Sequence, residues 1–346
     1  MTDTREDGIY FGLSEDDYHG EPRLSASLMK WLRVSPRDFW VRSFLNPERE
    51  EQEDSAAREL GKAYHRRILE GSDPFYRDYT AMLDREDYPN AISGSDAIKA
   101  ALRERELKLG GCKADMIDRL LSDDPSVQVW ERLIEDHIGA HPGKTLLGLD
   151  ILRRVETAAA LIEKHPTLGK CVRGGYPEVS VFFTDPETGV KGKSRFDYLK
   201  VNMITDLKSF SNPLGKPLDT AVRSAVANYG YYVQAAMYWR ALERAIDFAR
   251  VGNVHGDASP EFLRDLLATD PDKRRFLFLF QDTGPAQVAR GYIMPKGTVH
   301  AIGDDIVREC METFAQHAKV FGDAPWIDTA PITEFDDTSF PAWIGT

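Results

Sequence analysis

The stretch from residue 178 to residue 209 constrains the fold of this chain most. It has the two-residue periodicity of β-strands, which predicts three successive strands at residues 178–184, 190–200 and 203–209. The sequence DPETG at residues 185–189 is a strong turn signal, and only Val201 and Asn202 separate the second strand from the third. A short antiparallel meander is therefore expected.

Helical patterns flank this meander on both sides. The pattern predicts helices at residues 24–32, from Pro36, at 55–70 and, with interruptions, at 95–166; a helix at 225–250, strands at 275–281 and 287–294, and a helix at 302–320 follow. This order predicts an α/β fold with α+β order, in which helices flank a mixed central sheet and a helical insertion is added. The expected divisions are 1–75, the insertion at 76–145, 146–320, and a tail at 321–346.

The net charge of the chain is unevenly distributed. The formal charge is −12, but residues 1–60 carry 14 acids and 8 bases and residues 301–346 carry 9 and 2, whereas residues 151–250 carry 10 acids and 15 bases. An acidic protein is not a general polyanion binder, so an anionic substrate is expected only at the basic middle of the chain.

Composition also sets expectations about the compartment. No apolar run reaches the 18 residues that a membrane span needs, and residues 1–7 are acidic, unlike a signal peptide. The three cysteines, Cys112, Cys171 and Cys310, are far apart and odd in number. We therefore expect a cytoplasmic protein with reduced thiols and no contact with membranes.

Three charged residues of the meander are expected to lie together. Asp206 and Lys208 are two residues apart on one strand and so project from the same face. The short loop at 201–202 places Asp197 directly opposite Asp206, and two adjacent carboxylates are unfavourable unless a cation lies between them. Hard oxygen ligands are those that Mg²⁺ prefers. If Thr184 faces Val190, Glu178 falls one residue away from Asp197, and a bulge or a shifted loop would bring it alongside.

Taken alone, the D/E-x-K pattern has little weight, because Glu106 and Lys108 repeat it in a charged helical run that is expected to be a solvated face. The otherwise apolar strands around Asp197 and Asp206 make a functional interpretation more favourable. Two helical patterns add to it: Gly61 and His65, and Gln234 and Tyr238, each pair four residues apart on one face.

The ordered set GxxxH, Glu178, Asp197, Asp206-Leu207-Lys208 and QxxxY resembles the RecB-like branch of the PD-(D/E)xK nucleases, and most closely the exodeoxyribonuclease VIII (RecE-like) exonucleases of phages and prophages. The segment LSASLMKWLRVSPRDFW at residues 24–40 resembles the N-terminal helix pair of that group, so the resemblance extends from about residue 8 to residue 320.

The resemblance implies a role for each matched residue. Asp197 and Asp206 would bind the metal, Lys208 would be the catalytic lysine, Glu178 a further acid near a second metal, and His65 a metal ligand or phosphate contact. Gln234 and Tyr238 would orient the lysine or the DNA backbone. Independently of the family, we expect Arg195 and Lys193, on the strand of Asp197, to contact DNA phosphates.

The resemblance also implies cofactors and partners. These are Mg²⁺, for which Mn²⁺ would substitute, linear double-stranded DNA ends, a homo-oligomeric ring of three or four subunits, and a single-strand annealing protein. Relatives with an iron–sulfur cluster have a cysteine where this chain has Ser35 and three more near the C-terminus, so no cluster is expected. Walker motifs are also absent from the sequence, so no use of ATP is expected.

Residues 92–124 resemble a SAP-type DNA-binding module. The resemblance implies phosphate contacts by Lys108, Lys113 and Arg119, whereas the alternative is a helical hairpin that only braces the core or a subunit contact. The tail contains Trp326, Phe335, Phe340 and Trp343 among acidic residues and would either dock a partner or pack on its own domain or a neighbouring subunit; packing is favoured.

These expectations favour a Mg²⁺-dependent exonuclease that degrades one strand of linear duplex DNA from 5′ ends, for single-strand-annealing recombination in a bacterial or phage-infected cell. The 5′ polarity rests on the resemblance. The alternatives are a structure-specific or restriction-type endonuclease with the same site, and an inactive DNA-binding or scaffold protein.

Overall fold

The architecture was analysed in a computed structural model that describes residues 4–50, 55–329, 331, 332, 334 and 339. The strands, in chain order, are β1 (Gly8–Tyr10), β2 (Tyr79–Ala81), β3 (Thr145–Leu147), β4 (Tyr176–Thr184), β5 (Lys191–Lys200), β6 (Met203–Phe210), β7 (Val254–His255), β8 (Arg275–Asp282) and β9 (Ala289–Ile293).

The helices before the meander are α1 (Glu15–Gly20), α2 (Ala26–Leu32), α3 (Pro36–Arg42), α4 (Ala56–His65), α5 (Ser72–Asp78), α6 (Ser95–Glu104), α7 (Lys113–Asp123), α8 (Trp130–Ala140), α9 (Leu149–Lys164) and α10 (Leu168–Cys171). Those after it are α11 (Leu218–Asn228), α12 (Tyr231–Val251), α13 (Pro260–Ala268) and α14 (Thr298–Phe321). Ser25 and Ser35 cap α2 and α3 by accepting hydrogen bonds from backbone N–H groups of the first turn.

The main sheet has the strand order β7-β1-β4-β5-β6-β8-β9. The β1–β7 and β6–β8 pairs are parallel and the other neighbours are antiparallel, so the sheet is mixed, as predicted. The β5–β6 register pairs Tyr198 with Thr205 and Lys200 with Met203, which the two-residue loop required.

The predicted register of the first hairpin is wrong by one residue. Thr184 pairs with Lys191 rather than Val190, because the turn closes with a hydrogen bond from Asp185 N to the Val190 carbonyl. Val179 accordingly pairs with Phe196, and Glu178 comes opposite Asp197. Of the two ways in which Glu178 was expected to reach Asp197, a bulge or a shifted loop, the shifted loop is the one that occurs.

Two apolar clusters sandwich the sheet, which is the layered arrangement of a mixed α/β core. The larger one joins the sheet to α2, α3, α12 and α14 and contains Phe196, Ile204 and Phe278. The second joins the opposite side to α4, α5 and α9 and contains Leu207 and Leu279. Asp206 and Lys208, which alternate with Leu207, therefore point towards the layer of α12.

Other elements differ from the sequence prediction. The helix expected at 225–250 is broken at Gly230, whose φ of 67° lies in the left-handed region, so α11 and α12 are separate. The helix predicted at residues 55–70 is α-helical only as far as His65 and continues as a π-helical turn from Arg66 to Glu70. Helix α5, which follows at once, was not predicted. Strands β2 and β3 form a small parallel sheet that was not predicted.

The helices α6 and α7 of the insertion, together with Val129 just before α8, have an apolar cluster of their own, built around Leu102, Ile117 and Leu120. At the other end of the chain, Trp326 is fully buried and its ring lies 5.0 Å from that of Phe39 on α3 and 5.5 Å from that of Phe314 on α14. The start of the tail therefore packs on its own domain, while Phe335, Phe340 and Trp343 lie outside the described residues. None of the described helices is both long and apolar enough to cross a bilayer.

Candidate metal-dependent active site

The candidate site forms where β5 and β6 separate. Their regular pairing ends at Tyr198 and Thr205, one residue before Asp197 and Asp206. Beyond that point the backbone N–H of Leu207 donates to Asp197 Oδ2 at 2.7 Å, so a carboxylate takes the place of a strand carbonyl. The two aspartates therefore lie at the point where the two strands separate.

Glu178 is held at this opening by an unusual backbone conformation. Its φ of 53° is left-handed, which is costly for a residue with a Cβ, and it interrupts the pairing of β4 with β5 between Pro177 and Val179. Its carboxylate accepts a hydrogen bond from Arg195 Nε at 2.6 Å. Strain of this kind persists where the surroundings fix it and is common at functional sites.

His65 approaches from α4 on the other side of the sheet. Its Nε2 lies 2.8 Å from the Leu207 carbonyl, which can only accept, so Nε2 carries the proton and Nδ1 is left with a lone pair. Nδ1 lies 3.6 Å from Asp197 Oδ2. The helix comes this close because Gly61 has no side chain: a Cβ there would lie 3.2 Å from Ser209 Oγ on β6.

Asp206 and Lys208 form an ion pair on the α12 side, with Oδ2 and Nζ 2.6 Å apart. Gln234 Nε2 donates to Asp206 Oδ1 at 3.0 Å and also lies 3.0 Å from the Tyr238 hydroxyl oxygen. The Lys208 ammonium lies 5.1 Å from the centre of the Tyr231 ring, a cation–π distance. The QxxxY residues thus fix Asp206, which in turn fixes the lysine.

Burial dominates the protonation behaviour of this cluster. It raises the pKa of Glu178 to about 7, with further repulsion from Asp197, and raises the pKa of Asp206 to about 7 against the lowering effect of Lys208. Burial also lowers the pKa of His65, which favours the neutral ring. The Lys208 pKa is raised despite burial, because Asp206 and Asp197 stabilise the ammonium.

These residues fit a divalent cation. One ligand atom each from His65, Glu178 and Asp197 lie within 4.8 Å of one another, and the set of carboxylate oxygens with one imidazole suits Mg²⁺ or Mn²⁺. Asp206 Oδ2 is buried and receives no well-directed hydrogen bond. A cation here would stabilise the charged carboxylates that burial otherwise disfavours.

Lys193 was predicted to contact DNA, but the structure engages its ammonium internally. Nζ donates to the carbonyls of Tyr18 at 2.8 Å, His19 at 3.2 Å and Glu21 at 2.8 Å, and the residue is 5% exposed. All three donors of the ammonium are used. Lys193 therefore anchors the end of α1 to β5 and has no free group for a phosphate.

Arg195, the other predicted phosphate contact on this strand, is similarly engaged. Besides Glu178, it donates to the Ser14 and Leu13 carbonyls, both at 3.0 Å, and its guanidinium lies 5.5 Å from the Tyr18 ring. It links Glu178 to the segment before α1. This arrangement favours a positioning role over the predicted phosphate contact.

The basic residues of the insertion are less constrained. Lys113 is paired with Glu131 of α8, and Arg119 donates to the Lys108 carbonyl. Lys108 is exposed, and its side chain makes no ion pair with a described residue. The DNA contacts expected of these three residues, and the likeness of residues 92–124 to a SAP module, stay predictions.

Sequence reasoning did not assign roles to Leu13, Ser14 and Tyr18, which hold Arg195 and Lys193. Backbone carbonyls have no sequence signal, and residues 13–18 are some 180 positions away along the chain. The hydrophobic burial of Tyr18 on α1 is visible in the sequence only as one aromatic residue in an acidic helix.

Comparisons with known proteins give matches to a family model and to a solved structure. Residues 128–251 match the family model described as a PDDEXK-like domain of unknown function (DUF3799). No curated protein matches the chain. Among solved structures, a protein from Eubacterium rectale named "Putative exonuclease" aligns with 14% identity and a TM-score of 0.44, over 88% of this chain and 86% of that one.

The family match covers the meander that carries Glu178, Asp197, Asp206 and Lys208 and the helix that carries Gln234 and Tyr238. The chain therefore has a PD-(D/E)xK nuclease-like fold, with a mixed central sheet flanked by helices.

Proposed function

We propose that this protein is a Mg²⁺-dependent exodeoxyribonuclease that degrades one strand of linear double-stranded DNA, in the 5′ to 3′ direction. The observation that carries the proposal is the convergence of His65, Glu178 and Asp197 on one point, beside the Asp206–Lys208 ion pair. This combination suits phosphodiester hydrolysis, in which both the water and the developing charge on phosphorus must be stabilised.

Each side chain has a part in this chemistry. A bound divalent cation would activate water and neutralise the phosphate. The neutral ring of His65 and the carboxylates of Glu178 and Asp197 would hold this cation, and Arg195 keeps the Glu178 carboxylate in place. Lys208 carries a positive charge whose position Asp206 and the Tyr231 ring fix, so that it can donate to a phosphate oxygen. Gln234 prevents Asp206 from rotating away.

The test compares linear duplexes labelled at either the 5′ or the 3′ end with covalently closed circles of the same sequence, each incubated with Mg²⁺. Exonuclease action predicts mononucleotides or short products from linear DNA, first from the 5′-labelled end, and intact circles. Cleavage of closed circles would favour the endonuclease alternative. Lys208→Ala should abolish cleavage and retain DNA binding, whereas a wild-type chain that binds without cutting would favour the scaffold alternative.

The assembly and biological role are part of the same proposal. A ring of three or four subunits around DNA would keep the enzyme on one strand, and an annealing protein would receive the exposed strand. Light scattering on the purified chain tests the first; co-purification with an annealing protein encoded nearby tests the second. A monomer would refute the ring.

A further inference from the structure

A groove with a volume of about 460 Å³ opens next to the candidate site. It begins at Ser209 and Phe210, which directly follow Lys208, and its inner wall is Tyr231, the ring beneath the Lys208 ammonium. The outer wall is formed by Leu214 and Tyr229. We call it the Tyr229 groove; its volume is in the range typical of small-molecule sites.

The groove presents aromatic and apolar surface that the described part of the chain does not cover. Tyr229 is 60% exposed and Leu214 is 78% exposed. The rings of Tyr229 and Tyr231 are 5.6 Å apart at 33°, so they form a continuous aromatic wall that leads towards Lys208. Exposed aromatic surface beside a cleft commonly marks a binding site.

The loop that carries Leu214 is held in a defined shape. Asn212 Nδ2 donates to the Lys216 carbonyl at 2.7 Å, and Lys216 N donates back to Asn212 Oδ1 at 3.1 Å. Gly215 has a φ of 58° and its N–H donates to the Asn212 carbonyl, which closes the turn. Leu214 is therefore fixed on a braced loop that lines the groove.

We propose that the Tyr229 groove binds an unpaired nucleobase of the DNA strand whose phosphate lies at Lys208, by stacking on Tyr229. The inference rests on the proposed function, because it takes the substrate to be a nucleic acid. Three observations carry it: the wall is continuous with the ring under Lys208, its residues are aromatic and apolar, and the side chains of Ser224 and Asn228 supply polar groups for base edges. Stacking accepts any base, as a nuclease without sequence preference needs.

The test is a thermodynamic cycle between Tyr229 and the base. A single abasic position is moved along a short single-stranded oligonucleotide, and each affinity is measured for the full chain carrying Lys208→Met, so that the DNA stays intact. At one or two positions, loss of the base should weaken binding about tenfold, within the range of roughly 5-fold to 150-fold that stacking contributes. In the Tyr229→Ala variant the same loss should have no effect, and Tyr229→Phe should restore it.

Matched variants separate this role from a general surface effect. Leu214→Asn should weaken the contribution of the same oligonucleotide positions to binding. Val251→Asn, at the far end of α12 and also 78% exposed, should behave as the chain without this substitution. An abasic penalty that is equal with Tyr229 and with Ala would overturn the inference. So would dissociation of an oligomer by Leu214→Asn without coupling to the base, which would make the groove a subunit contact.

The two proposals fail separately. If the chain with Lys208 cleaves linear DNA but the cycle shows no coupling, the stacking groove is wrong and the nuclease function stands. If the cycle shows coupling but no DNA is cleaved under any condition, the groove is upheld as a nucleic-acid site and the exonuclease proposal is wrong.

Discussion

Replacing Arg195 by Met should destabilise the metal-free protein strongly and the Mg²⁺-bound protein less. Arg195 Nε contacts Glu178 at 2.6 Å, and the two side chains are only 14% and 27% exposed. At that separation and an effective dielectric constant of about 20, the gross attraction is roughly 6 kcal/mol, most of it offset by the cost of removing both charges from water. The substitution leaves the Glu178 carboxylate unpaired at a net cost of about 2 to 3 kcal/mol.

The same substitution removes two hydrogen bonds from the guanidinium to backbone carbonyls. The Leu13 and Ser14 carbonyls each lose a donor at 3.0 Å, at about 1 kcal/mol apiece. The total expected loss in the free energy of unfolding is therefore about 4 to 5 kcal/mol in EDTA. In Mg²⁺ the cation compensates Glu178, so the charge contribution shrinks and a loss of only about 2 kcal/mol remains.

Urea unfolding at pH 8, with EDTA or with Mg²⁺, measures both values. Combining Arg195→Met with Glu178→Gln should give a coupling energy of about 2 kcal/mol in EDTA and a much smaller one in Mg²⁺. Arg290→Met is the control, because Arg290 and Asp219 form an ion pair that is about half exposed; it should cost less than about 1 kcal/mol in either condition. An equal loss in EDTA and Mg²⁺ would refute the assignment of Glu178 as a metal ligand.

Three further predictions concern other parts of the molecule. Lys193→Met should lower the free energy of unfolding by about 3 kcal/mol, because three carbonyls, two of them buried, lose their donor, while Lys191→Met, at the exposed start of the same strand, should change it by less than about 0.5 kcal/mol in the same urea titration. Gln234→Met should slow DNA cleavage by about 10-fold to 100-fold with little change in DNA affinity, measured by single-turnover kinetics, since only the orientation of Asp206 is lost. Burial raises the pKa of Glu131, but the hydrogen bonds from Lys113 and Gly94 N outweigh this effect and lower the pKa to about 2. The ionised carboxylate therefore stabilises the folded protein fully above about pH 4.5, and this stabilisation is lost as the pH falls towards 2. Wild type and Glu131→Gln should consequently differ in unfolding free energy at pH 7 and converge at pH 2.

The meander could be predicted because its connections leave few alternatives. A two-residue loop at Val201 and Asn202 permits one register, and the pairing of Tyr198 with Thr205 follows it. The five-residue turn permits several, and the sequence does not show that Asp185 N bonds to the Val190 carbonyl. That one-residue difference is what places Glu178 opposite Asp197.

Short elements escaped sequence analysis for a different reason. Strands β1 and β7 contain three and two residues, too few to show a two-residue period, although they extend the main sheet at the edge of β4. The break between α11 and α12 also has a weak signal, because Tyr229 and Gly230 interrupt an otherwise helical pattern for only two positions. Tertiary pairing and one left-handed glycine decide these features.

Charge counts located the basic region correctly but did not show which cations are available. Residues 151–250 carry 15 bases and 10 acids, an excess of five bases. However, the side chains of Lys193 and Arg195 bind backbone carbonyls in and before α1, and the Lys208 ammonium is paired with Asp206. Under the proposed function, the positive charge offered to a DNA phosphate at the centre would therefore come mainly from the metal, and from Lys208 once the metal compensates the carboxylates. Under the proposed function, metal binding and DNA binding should consequently be coupled: without the cation, His65 and Lys208 face the carboxylates of Glu178, Asp197 and Asp206, which repel a phosphate at the site.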